Sequence, residues 1–351
     1  MTPSADSARA AHASAPLARI LRNLQRHRYL LAVLSFAAGA ASFFLMARNE
    51  RLAPWIAAGL ALNWAAILFE GALGRWLARF RYGHLSPYLL RYGMQSVHQL
   101  SFFFCLPFVL STTTWDSGQA LFAAAACAAA LASMWDPLYY GVIAARPWLH
   151  LAFHGFAMYL ALLVVPPLIW RLDTTHSLAL ASAALGLLSL PSFLHRVRRR
   201  TPLRLALLLA AAVALGGLSW IARYWVPPAT LWISDARVTA TLDPERRAPG
   251  TPLQDVPADA LAGGLYAYAA IHAPRGLREQ VFHVWCHDGR IVDRIPMTVA
   301  GGREQGYRAW SYKRSFPENS AGTWEVDFVT DGDQLIGKLR FRVVEPAAAP
   351  R

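Results

Sequence analysis

At 351 residues and 38.7 kDa, with 55% apolar residues and a mean hydropathy of +0.29, the chain is too apolar for an ordinary soluble protein and long enough for two domains. Its net charge of +13 does not mark a nucleic-acid binder. From Pro227 onward fifteen Lys and Arg balance fifteen Asp and Glu, so the whole excess lies among the apolar runs before it, where membrane topology calls for it.

Residues 1–28 begin as an Ala- and Ser-rich tail and end in a short amphipathic helix bearing Arg19, Arg22, Arg26 and Arg28. Seven apolar runs follow, each near the roughly 20 residues of helix that cross a bilayer. They are Tyr29–Met46, Leu52–Phe69, Ser96–Leu110, Gln119–Met134, Trp148–Trp170, Ser177–Leu194 and Leu203–Trp225. The first could be read as a signal peptide. The long basic region before it, and the lack of a small-x-small site before Arg48, favour a retained span. The stretch Glu70–Gln95 mixes Arg75, Arg79, Arg81 and Arg91 with five aromatic residues and reads as a helix lying along the inner leaflet. Pro166 and Pro167 are expected to kink or end the fifth run. Gly216 and Gly217 in the last run are a packing feature.

With the N-terminus inside, fifteen arginines fall on inner segments and only Arg48, Arg51, Arg171 and Arg223 on outer ends. That asymmetry orients the helices. Residues 29–226 then form a transmembrane helical domain, and residues 229–346 lie in the periplasm.

From Leu231 the period changes to two. Trp324, Val326 and Phe328 alternate with Glu325 and Asp327; Leu339, Phe341 and Val343 alternate with Lys338, Arg340 and Arg342. Seven strands are expected, at about 232–242, 263–273, 280–287, 290–299, 306–315, 323–330 and 335–345. His287–Arg290 and Asp331–Gln334 read as hairpin turns through their Asp-Gly pairs. The fold class is therefore a transmembrane α-helical bundle of about seven spans followed by an all-β immunoglobulin-like sandwich. Asp243–Ala262 reads as a long loop.

The run Trp285, His287, Asp288 and Gly289, then Arg308 to Lys313, then Gly322, Trp324, Val326 and Asp331-Gly332, resembles a bacterial domain of unknown function, the family numbered 2914. The preceding spans resemble, in arrangement, uncharacterised membrane proteins that carry this domain at the C-terminus. Cys286 stands where the family pattern has an aromatic residue. The resemblance implies the architecture and no catalytic residue.

Two sets of residues carry possible chemistry. His150 and His154 share one face of the fifth span, and His98 lies near the inner end of the third. Together they suit a metal or haem, or a membrane redox carrier; the competing reading is histidines bonded to neighbouring helices or headgroups. In the sandwich, His283, Trp285 and His287 share one strand face, and Arg308, Trp310 and Tyr312 share another. Either is a ledge of rings and charges suited to a glycan or a protein partner; the alternative places Trp285 and Trp310 in the core, and for the tryptophans it is preferred. No nucleotide loop, nucleophile elbow or CxxC occurs, and no cofactor other than the histidine alternative is implied. The expected function is an inner-membrane protein, embedded in lipid, that presents a periplasmic binding domain to an envelope protein or polymer, with no catalysis.

Overall fold

A computed structural model describes residues 86–196 and 201–345, with the isolated helical positions Val33 and Ala37. The tail, the runs Tyr29–Met46 and Leu52–Phe69, most of Glu70–Gln95 and residues 197–200 lie outside the described residues. The helices are α1 (Ser86–Thr112), α2 (Gln119–Met134), α3 (Pro147–Trp170), α4 (Thr174–Arg196) and α5 (Pro202–Ile221). Between α2 and α3 come one helical turn, Asp136–Leu138, and a π-helical turn, Tyr139–Ile143. Among the described residues Gly93–Thr112, Pro147–Trp170 and Leu205–Trp225 are long and apolar enough to cross a membrane. Gln119–Met134 with Asp136–Ile143, bent by 95°, makes a fourth if counted as one span.

One expectation changes. Residues 86–95 are not a separate surface helix but the start of α1, which runs unbroken into the expected third span. The Pro166-Pro167 pair does not end α3, which continues to Trp170. A proline orphans the carbonyl four residues earlier, here those of Leu162 and Leu163, and apolar helices tolerate this when such carbonyls find other partners.

The chain divides into two compact units: Met1–Pro107 with Ala126–Ala161, and Phe108–Ala125 with Leu162–Arg351. The division does not fall at Pro227, the boundary expected between helices and strands. The second unit joins the β-structure to α4, α5 and the adjoining ends of α1, α2 and α3. Within it, α4 and α5 cross closely at small residues. A Cβ on Gly186 would lie 2.8 Å from the Ala212 carbonyl, and one on Gly216 would lie 2.9 Å from the Ser182 carbonyl. Spacing of four between Ser182 and Gly186, and between Ala212 and Gly216, is the small-xxx-small pattern that lets backbones touch where lipid gives no hydrophobic drive.

The strands are β1 (Trp232–Thr239), β2 (Leu242–Asp243), β3 (Ala248–Pro249), β4 (Asp255–Pro257), β5 (Leu265–His272), β6 (Arg278–His287), β7 (Arg290–Ala300), β8 (Tyr307–Lys313), β9 (Gly322–Thr330) and β10 (Leu335–Val344). One sheet has the order β1-β5-β8, the other β4-β10-β9-β6-β7. Side chains from both sheets fill one core, led by Trp285, Trp324, Phe328, Leu265 and Ile271, all fully buried. This is a β-sandwich. The seven expected strands are present. The expected loop Asp243–Ala262 instead holds the β2–β3 ribbon, β4 paired in parallel with β10, and a 3₁₀ turn at Ala258–Gly263. Strands of two or three residues show no alternation to read; in β4 only Val256 turns inward.

The β6–β7 hairpin has positive φ at Asp288 (46°) and Gly289 (77°), as an Asp-Gly turn requires. In the β9–β10 turn the left-handed residue is Asp333 (φ 57°), not Gly332. The Asp333 N–H bonds back to the Thr330 carbonyl at 3.0 Å, and the pairing slips between Leu335 and Gly337.

Three helix connections grip the sandwich. After α1, Thr114 Oγ1 donates to the Ile336 carbonyl (3.4 Å), and Gln119 Nε2 at the start of α2 donates to that of Leu335 (2.7 Å). Asp116 pairs with Arg340 at 2.9 Å. Between α3 and α4, Thr174 donates to Glu279 from its backbone N–H (3.0 Å) and its hydroxyl (2.6 Å). After α5, Arg223 pairs with Asp333 (3.0 Å), Tyr224 donates to Asp327 (3.1 Å), and Gln334 Nε2 donates to the Val226 carbonyl (3.2 Å). Helices α1, α3 and α5 therefore end at the sandwich, and α2 and α4 begin there.

Glu279 is 1% exposed. Burial pushes its carboxyl up to about 7, against the two Thr174 bonds that favour the anion. A carboxyl whose folded pKa lies above its unfolded value binds more protons when folded, so its contribution to stability falls as pH rises through the interval between them. Here that interval runs from 4.5 to about 7, and the ionised form costs on the order of 3 kcal/mol. We predict that Glu279→Gln gains melting temperature relative to the wild-type protein as pH is raised from 5 to 8, because the variant has no carboxyl to ionise there; a difference that stays constant with pH would refute it.

Trp324 stacks on His287 (4.7 Å between ring centroids), meets Phe316 edge-on (5.2 Å) and donates its Nε1–H to the Ser320 carbonyl (2.8 Å). Truncating a buried Trp costs about 3–5 kcal/mol, a large part of typical domain stabilities of about 5–15 kcal/mol. Trp324→Ala is expected to abolish the sandwich's cooperative melt or lower it sharply in calorimetry, whereas an unchanged melt would contradict this core.

Candidate functional site

The outer face of the three-stranded sheet is unusual in what it carries. Strands place alternate residues on opposite faces, so Ile233, Ala236, Val238, Leu265, Ala267, Ala269, Ile271 and Ala309 point to the core. The register then sets four rows across the outside: Trp232 with His272; Asp235, Ala270 and Arg308; Arg237, Tyr268 and Trp310; Thr239, Tyr266 and Tyr312. Six rings stand where a solvated sheet carries polar side chains. Trp232 stacks on His272 at 4.8 Å and Tyr266 on Tyr312 at 4.3 Å. The Arg314 guanidinium lies over Tyr312 at 5.0 Å, a cation–π contact. Burial lowers the pKa of His272, so near neutral pH its ring is uncharged.

Arg308, Trp310 and Tyr312 thus share a face, as their spacing suggests, and that face points outward. Trp310 is half-buried there and does not fill the core. Arg308 donates to the Arg246 carbonyl (2.6 Å) and to Gln305 Oε1 (2.9 Å), both neutral partners. Arg246 is at the tip of the β2–β3 ribbon, which leaves the far edge strand β1. To reach Arg308 on β8 the ribbon must cross outside β5. Tyr268, which faces that side, is accordingly only 3% exposed.

The other expected ledge points inward. His283 is fully buried, with Nδ1 2.9 Å from Ser311 Oγ, and Trp285 Nε1 donates to the same oxygen at 3.1 Å. Burial pushes the His283 imidazolium down to about 3, so the ring is neutral. His287 stacks on Trp324 and bonds to the Ala321 carbonyl at 3.1 Å. His283 is therefore a core residue, while His287 is half-buried against Trp324 on the same strand face. Their alternation identified the shared face but not its direction, because an imidazole serves either side of a sheet. Trp232, Tyr266, Tyr268 and His272 were missed; the alternating tyrosines of Leu265–His272 were the available signal.

In the first unit, His98, His150 and His154 come together. His98 is fully buried, with Nδ1 2.8 Å from Tyr139 Oη and Nε2 3.0 Å from His154 Nδ1. The rings of His98 and His150 are 5.7 Å apart and those of His150 and His154 6.5 Å. Beside them Gln95 accepts from Tyr140 Oη (2.6 Å) and donates to the Ser133 carbonyl and to Asp136 Oδ1, each at 3.0 Å. Two axial histidines on one iron need nitrogens about 4 Å apart, given metal–nitrogen bonds of about 2 Å, with the porphyrin between them. The direct His98–His154 contact closes that gap. Among the described residues no group of three His, Cys, Asp or Glu has an arrangement that could hold a metal.

The fold and these sites define a protein of apolar helices bearing a C-terminal β-sandwich with an aromatic outer face. A family described as "Family of unknown function (DUF5924)" matches residues 10–267, most of the chain, and the chain belongs to it. Residues 278–343 match a second, "Protein of unknown function (DUF2914)", so the sandwich carries a DUF2914 domain. No curated protein matches the chain.

Proposed function

We propose that this chain is a bacterial inner-membrane protein that presents a periplasmic, immunoglobulin-like sandwich to an envelope protein or glycan, and that it catalyses no reaction. The observation that carries the binding role is the outer face of the three-stranded sheet. Trp232, Tyr266, Trp310 and Tyr312 stay partly exposed around the covered Tyr268, and aromatic surface rimmed by charge marks interaction sites rather than ordinary solvated faces. Arg308 and Arg314 add positive charge, and among the described residues neither pairs with a carboxylate.

The immunoglobulin-like reading rests on the strand order, three strands against five, and on Trp285, a buried tryptophan on the inner strand β6. About seven spans with a cytoplasmic N-terminus put residues 229–346 outside. The arginine asymmetry supports that orientation. So does the sandwich's attachment to the connections after α1, α3 and α5, the three expected to face outward.

The test is binding of the full-length protein, in nanodiscs, to purified peptidoglycan and to envelope extracts. Trp310→Ala is expected to weaken capture strongly while leaving the melt nearly unchanged, because Trp310 is outside the core. Arg308→Ala is expected to weaken capture and to cost far less stability than Trp324→Ala. Capture by Trp310→Ala equal to wild type would remove this face from the function.

A further inference from the structure

We propose that Tyr139, His98 and His154 form a proton-exchange chain inside the helical bundle. Each group in it can both donate and accept a hydrogen bond, and the three are joined in series by contacts of 2.8 and 3.0 Å. They come from three separate segments: α1, the π-helical turn after α2, and α3. The turn is necessary to the arrangement. Helix α2 breaks at Trp135, Asp136-Pro137 restarts the chain at 95°, and the π-helical winding brings Tyr139 against His98. Such turns are rare and concentrate at functional sites. Ionisable side chains within apolar helices are themselves costly and mark proton or ion pathways.

The series fixes the tautomers. When Tyr139 donates its O–H to His98 Nδ1, His98 carries its hydrogen on Nε2 and donates it to His154 Nδ1, and His154 carries its hydrogen on Nε2. A proton arriving at the Tyr139 oxygen lets the phenol hydrogen pass to His98 Nδ1. The His98 Nε2 hydrogen passes to His154 Nδ1, and the His154 Nε2 hydrogen leaves. Every N–H or O–H bond broken is matched by one formed, and no charge stays in the bundle. Passage the other way restores the starting tautomers. His98 and Tyr139 are fully or almost fully buried, while His154 and His150 are half-buried, so the chain runs from the interior toward the histidine face of α3. Asp136, bonded to Gln95, is the acidic group beside it among the described residues.

A purely structural cluster would use the same hydrogen bonds but would not exchange protons. The test is ¹⁵N NMR of histidine-labelled full-length protein in nanodiscs, with metal analysis of the same sample. Expected are neutral His98 and His154, a direct N–H···N coupling between them, and rapid exchange of the His98 ring N–H with D₂O despite its burial. Tyr139→Phe, which keeps the ring and removes the oxygen, is expected to slow that exchange by about tenfold or more, each tenfold being about 1.4 kcal/mol of barrier. Slow exchange in the wild-type protein would overturn the proposal without recourse to any variant. So would a rate that Tyr139→Phe leaves unchanged, or a stoichiometric transition metal that His98→Phe abolishes.

Discussion

A buried carboxylate at the start of a helix joins the two kinds of structure in this protein. The first turn of α4 has backbone N–H groups with no partner in the helix. Glu279, on β6, takes the Thr174 N–H, and Asp173 takes that of His176 at 2.8 Å. Two acidic side chains at one N-terminus also meet the positive end of the helix dipole. The bond is costly, because the carboxylate is dehydrated, and it is therefore directional: the helix end satisfies Glu279 in this one position. The charged group around Lys338, which holds Glu325 at 2.6 Å and Asp327 at 3.6 Å, sits on the outer face of the five-stranded sheet beside Tyr224. Short connections then leave the sandwich little freedom at the helix ends that hold it.

Much of this was legible in the residues. Alternation located Trp324, Val326 and Phe328 in the core, and the seven main strands, because a half-buried strand has only one pattern. Apolar runs located α2 to the residue and α3, α4 and α5 to within a few, whereas α1 begins ten residues before its apolar run. What failed was local. The ribbon and β4 are too short to have a period. The position of the left-handed residue in the β9–β10 turn depends on pairing register, not on its Asp-Gly dipeptide. The site was half legible. Spacing grouped Arg308, Trp310 and Tyr312, and it put His150 with His154, yet the inward turn of His283 depends on Ser311, on another strand. The link from His98 to Tyr139 depends on a π-helical turn that no spacing rule anticipates.

The two family matches meet between β5 and β6, not at the end of the helices. Strands β1 to β4 and the first three residues of β5, Leu265 to Ala267, fall in the first match, and β6 to β10 in the second. The outer face is thus composite: Arg237 and Tyr266 come from one, Arg308, Trp310 and Tyr312 from the other. The boundary between the two matches falls inside one compact unit, not at its edge. The sandwich shares a compact unit with α4, α5 and the helix ends, and its aromatic face is complete only when both halves of the chain are present.

The central claim is that the sandwich is seated on the outer helix connections, in the periplasm. A Cβ built on Gly332 would lie 3.3 Å from Thr175 Cβ, close to the roughly 3.5–4.5 Å of a disulfide. Thr175→Cys with Gly332→Cys, in a chain whose Cys105, Cys127 and Cys286 are replaced by alanine, tests seating and sidedness together, since disulfides persist in the periplasm and not in the cytosol. The account predicts a nearly complete intramolecular disulfide in cells trapped at once with acid and alkylating agent. Two free thiols in those cells would contradict it.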